Sequence, residues 1–62
     1  MKSVIVFVRH LDKEKGTVYF TEATEFGDDC RYKSASEFVN ALQDMYRKHG
    51  DGCFFIDNVV IG

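Results

Sequence analysis

The chain contains no proline, only two cysteines among its 62 residues, and no excess of positive charge. Each absence removes a class of protein. Without proline there is no polyproline motif for a partner domain to read. The two cysteines, Cys30 and Cys53, show no C-x-x-C spacing, and His10 and His49 are scattered relative to them in a way that matches no metal-ligand pattern. The expectation is two reduced, partly buried thiols, with no metal and no cofactor. Eight basic and ten acidic side chains leave a formal charge of −2. A free-standing duplex-binding domain usually carries a clear positive excess, and a polybasic membrane anchor requires one. No apolar run approaches the ~18 residues of a membrane span. Val4-Ile5-Val6-Phe7-Val8 is short and no small-residue cleavage site follows it, so it reads as a strand and not as a targeting signal. The expected location is the cytoplasm.

What remains is a single α+β domain over residues 1–62, because a chain this short leaves no room for a second. Such a chain buries only roughly 60% of its unfolded surface, and its core supplies about 3–5 kcal/mol without outside help. The apolar fraction of 45% and the six Phe and three Tyr argue against disorder.

Within the element Ser3 to His10, Val4 to Val8 is continuously apolar and mostly β-branched, the pattern of a central strand buried on both faces. The polar stretch Leu11–Gly16 reads as a hairpin loop ending in glycine. Thr17 to Thr24 returns antiparallel. Val18, Phe20 and Glu22 point one way, and Thr17, Tyr19, Thr21 and Ala23 the other. Phe26–Asp29 is a turn, and Cys30–Lys33 alternates as a short edge strand would.

Ser34 to His49 is a helix. Ser34 and Glu37 have capping-box spacing, and Asp44 and Lys48 are spaced as an i,i+4 pair. Ala35, Phe38, Val39, Leu42, Met45, Tyr46 and His49 form one apolar stripe. Gly50 follows as a natural C′ residue. Cys53 to Ile61 is the last strand, interrupted by Asp57-Asn58 as a bulge, strand end or small turn. The resulting fold is β-β-(β)-α-β, a three- or four-stranded, mostly antiparallel sheet with one helix on one face. With three strands before the helix the last would run parallel to the first; with two, antiparallel.

One helix covers one sheet face. Period two sends Phe54 and Phe55 to opposite faces, so aromatic surface is left over. The uncovered face is therefore expected to be an interface, through a homodimer or a protein partner. No nucleophile elbow, P-loop, dinucleotide fingerprint or zinc-protease helix occurs, and the expected activity is binding, not catalysis. Tyr19, Glu22, Glu25, Asp28, Asp29 and Tyr32 are the candidate contacts to a protein partner. They place an acidic cluster, of a kind that is ordinarily just solvated, beside two aromatics. The element order is shared by antitoxin-like and phage-encoded inhibitor domains, an analogy in fold order alone. A small regulator or inhibitor is the first expectation. The alternatives are a dimeric nucleic-acid binder using Lys2, Arg9, Arg31 and Lys33, with Tyr32 stacking on a base, and a structural subunit of a larger assembly.

Overall fold

Residues 2–62 are described by a computed structural model. Strand β1 (Lys2–Asp12) pairs antiparallel with β2 (Gly16–Phe26). The Asp12 carboxylate accepts from the backbone N–H of Glu14 at 2.8 Å and of Lys15 at 3.0 Å, and so holds the connecting turn. Gly16 closes it at φ 81°, a value that an L side chain resists. Helix α1 (Ala35–His49) crosses one face, and β3 (Phe54–Ile61) then pairs antiparallel with the free side of β1. The strand order is β2-β1-β3, so β1 is central, as its apolar run predicts.

The paired register puts alternate β1 residues on opposite faces. Val4, Val6 and Val8 point under the helix and are fully buried against Ala35, Phe38 and Leu42. Burying each valine stabilises by roughly 1.5–3 kcal/mol. Around this centre the aromatics interlock. Phe54 lies stacked between His10 (centroids 4.1 Å) and Tyr46 (4.7 Å), and Phe20 meets its edge at 6.3 Å.

Several local expectations are corrected. Cys30–Lys33 is not a strand. The Gly27 N–H donates to the Tyr32 carbonyl and the Cys30 N–H to the Gly27 carbonyl, which folds the segment onto itself. The Tyr32 ring then docks edge-on against Phe38 at 5.2 Å. With two strands before the helix, β3 is antiparallel to β1. The Ser34 hydroxyl accepts from the Glu37 N–H, but the Glu37 carboxylate reaches the N–H of Lys33, one residue before its capping-box position, at 2.7 Å. Asp44 pairs with Arg47 and not Lys48. Met45 and His49 are exposed, so the buried stripe is narrower than its apolar pattern.

After the helix, the left-handed residues are Asp51 (φ 52°) and Gly52 (φ 74°). Gly50 itself is right-handed, at φ −95°, and buried. It is glycine for a different reason: a Cβ there would sit 2.5 Å from the Tyr46 carbonyl oxygen and 2.6 Å from the Phe54 ring. The Asp57-Asn58 interruption is a bulge, where the β1–β3 register shifts opposite Phe7 and Val8. Cys30 lies beside Lys2, whereas the Cys53 carbonyl accepts from Leu11 N–H. Nearly the full length of β1, roughly 30 Å at ~3.3 Å per residue, separates the two thiols. An intramolecular disulfide is excluded by that distance.

Candidate functional site

The second face of the sheet carries no helix. Ile5, Phe7, Arg9 and Leu11 of β1 point into it, opposite Ala23, Thr21, Tyr19 and Thr17 of β2. Phe55 lies across from Arg9, and Val60 across from Ile5, on the β3 side. The six large apolar side chains of this face, Ile5, Phe7, Leu11, Tyr19, Phe55 and Val60, are between 38% and 71% exposed. The expectation that β1 is buried on both faces therefore fails within one chain. Its helix side is sealed and its other side is open.

The centre of the open face is built around one ion pair. The Arg9 Nε lies 3.3 Å from the Asp57 Oδ1, and its guanidinium sits 4.9 Å from the Phe55 ring centroid. The bulge makes this possible: it adds one residue to β3 and brings the Asp57 carboxylate within reach of the same face as Arg9. The Asn58 side-chain oxygen accepts from the Val59 N–H at 2.9 Å, which occupies a backbone donor beside the irregularity. Next to the ion pair, Phe7, Tyr19, Thr21 and Asp57 border a shallow depression of about 170 Å³. A flat apolar field around a neutralised ion pair recognises by area and shape, with little net charge to offer a ligand.

The residues expected to contact a protein partner are dispersed. Tyr19 lies on the open face. Glu22 pairs with Val6 and so belongs to the helix side, where its charge, after burial, pushes the Tyr46 phenol up. Glu25, opposite Ser3, is on the open face as well, but at the far end of β2 from Tyr19. Asp28 and Asp29 line a depression after β2 together with Lys2 and Lys33. Tyr32 packs on Phe38. Of the expected nucleic-acid contacts, Lys2 and Lys33 are brought together, but beside those two carboxylates. Arg9 is held by Asp57 on the open face, and the Arg31 guanidinium lies 5.6 Å from the Tyr32 ring centroid. Ile5, Phe7, Leu11, Phe55, Asp57 and Val60 were not among the expected contacts. Alternation along β1 is the signal that marks Ile5 and Phe7; Leu11 falls in the stretch expected to be loop, but β1 runs on to Asp12 and the loop is only residues 13–15.

Under the helix, the Tyr46 hydroxyl is buried and has no hydrogen-bond partner among the described residues. Also among the described residues, no group of three or more His, Cys, Asp or Glu is placed to hold a metal ion. No described helix is long and apolar enough to cross a membrane. Comparison of the chain with family models, curated proteins and solved structures finds no match.

Proposed function

We propose that the chain is a small non-enzymatic protein-binding module, a regulator or inhibitor that acts by occupying another protein's surface. One observation carries this reading: a sheet face with six large apolar side chains left in contact with water. Scattered apolar residues are normal on a protein surface, but a contiguous field of them favours association. Aromatic side chains dominate the middle of the field, and Phe7, Tyr19 and Phe55 are the side chains best suited to anchor it. Protein is preferred to nucleic acid because Arg9, the cation on this face, is already engaged by Asp57.

The test is affinity capture with the tagged chain from its source lysate, with and without nuclease, using wild type and Phe7→Asp. The expected result is a stoichiometric protein partner that survives nuclease and is lost in the variant. Recovery of nucleic acid, or only of proteins released by nuclease, refutes the reading in favour of the nucleic-acid alternative.

A further inference from the structure

We infer that the open sheet face is occupied by a second copy of this chain, the two sheets packing face to face about a two-fold axis near Phe7 and Arg9. This rests on the reading that the face binds protein, and it makes a second copy the occupant in the free protein, which any other partner must displace to bind there. The first argument is area. A compact monomer of 7.1 kDa is expected to expose ~4,100 Å². This chain exposes 4662 Å², an excess of ~550 Å² over that scaling. Its radius of gyration is 12.5 Å, where ~10.5 Å is expected for a chain of this length. The molecule measures 40 × 21 × 13 Å, long along its 11-residue strands, with a helix on one sheet face and the other face open. Three strands at ~4.8 Å spacing and ~3.3 Å per residue present a face of ~500 Å². Two such faces together bury ~1,000 Å², about the least that a specific interface has to clear.

The second argument is charge. In a two-fold interface the same patch meets itself, so a patch of one sign would repel its own copy. Here the positive and negative groups at the centre are 3.3 Å apart and cancel. Glu22 faces the helix side, and Asp28 and Asp29 sit in the turn beyond β2, whereas Glu25, opposite Ser3, is on the open face but at its end, roughly 13 Å along β1 from Phe7 and so away from the two-fold axis. A basic partner finds little to pair with on this face, whereas a second copy finds an apolar field like its own. The β1 sequence fits this arrangement. Val4-Ile5-Val6-Phe7-Val8 has the pattern of a strand covered on both sides, and the second copy supplies the second cover. Packed sheets of this kind lie about 10 Å apart with strands crossing near −30°, so β1 lies across its counterpart.

The experiment is sedimentation equilibrium on the untagged chain from ~1 μM to ~1 mM, the range in which a small interface is measured. The expected mass is twice 7.1 kDa at the upper end. Phe7→Asp is expected to weaken self-association by ~30-fold or more, as loss of a central anchor does. Tyr19→Glu lowers it as well. Its side chain is 71% exposed in one chain, so this variant keeps its fold if Phe7→Asp does not. Asn40→Asp, on the exposed side of α1, leaves the dimer unchanged. A 7.1 kDa species at every concentration overturns the inference. So does a dimer indifferent to both face variants, which would place the contact at a sheet edge. A monomeric wild type whose partner capture is still abolished by Phe7→Asp overturns the second copy alone. A dimer lost in both variants supports the inference even when partner capture persists, the result that refutes only the earlier reading.

Discussion

Gly50→Ala is expected to destabilise the protein although the local backbone invites alanine. Gly50 has right-handed dihedrals, φ −95° and ψ −2°, and at such a position alanine ordinarily stabilises by ~0.4–1 kcal/mol by restricting the unfolded chain. The surroundings reverse the sign. The added Cβ would lie 2.5 Å from the Tyr46 carbonyl oxygen, which is backbone and already accepts the Gly50 N–H at 2.8 Å. It would also lie 2.6 Å from the Phe54 ring. That ring cannot move along its own normal, because His10 stacks on one face at 4.1 Å and Tyr46 on the other at 4.7 Å. Overpacking of this kind costs ~1–3 kcal/mol, so ~1–2 kcal/mol remains after the unfolded-state gain. For a domain of this size each kcal/mol moves the melting midpoint by ~4–8 °C, which places the expected loss at ~5–15 °C. Thermal melts followed by circular dichroism measure it, at one fixed protein concentration so that self-association does not shift the midpoint. A cycle with Phe54→Leu locates the cause: the cost of Gly50→Ala should fall by ~1 kcal/mol when the ring is removed. A Gly50→Ala protein that melts at or above wild type refutes the reasoning, and with it the tight stacking of Phe54.

Two further outcomes follow from titratable groups. Tyr46→Phe removes a buried hydroxyl with no partner among the described residues, so stability measured in urea should hold or rise by up to ~1 kcal/mol. Burial, then the Glu22 charge, raises the Tyr46 pKa, so in wild type its neutral form contributes stability in full below pH 10 that fades as pH climbs through the raised value. A phenol titrating at or below 10.0 in an absorbance experiment contradicts this. Asp12 behaves in the opposite sense. Hydrogen bonds from the Lys15 and Glu14 N–H groups hold its carboxyl below the ordinary 3.8, so the turn is fully supported above that pH and loosens as acid protonates the group. Amide exchange at Glu14 and Lys15 should quicken on acidification in wild type, relative to Asp12→Asn. Identical profiles would remove Asp12 from the turn.

The fold was largely legible because its signals are local. The helix from Ser34 to His49 needs only its cap and its apolar period, and the structure places α1 at Ala35–His49. The hairpin was readable from Gly16, and the central place of β1 from its unbroken apolar run. What was not legible depends on where side chains meet after folding. Cys30-Arg31-Tyr32-Lys33 alternates like a strand, but the attraction of Tyr32 to Phe38 and the hydrogen bonds at Gly27 override that pattern. Glu37 prefers the Lys33 N–H over that of Ser34, a choice no spacing rule distinguishes. The site was partly within reach. Period two already separates Tyr19 from Glu22, so the two had to face opposite ways once β2 was recognised as a strand. The Arg9–Asp57 pairing was out of reach, because it requires the register of β3 against β1 and the single-residue bulge within it.

The order in which β1 acquires its neighbours has a kinetic consequence. Its first partner, β2, follows directly across the turn at Lys13–Lys15, whereas β3 arrives only after the whole hairpin and helix. Pairing across a short turn closes in about 1–10 μs, while long-range pairing must first overcome the entropy of closing a much larger loop. Between the two events the hairpin presents a bare backbone edge along Val4-Ile5-Val6-Phe7-Val8, a β-prone run without charge or proline. That edge is open to any other unfolded chain nearby. For this protein, the speed with which Phe54–Ile61 docks sets the interval during which aggregation competes with folding.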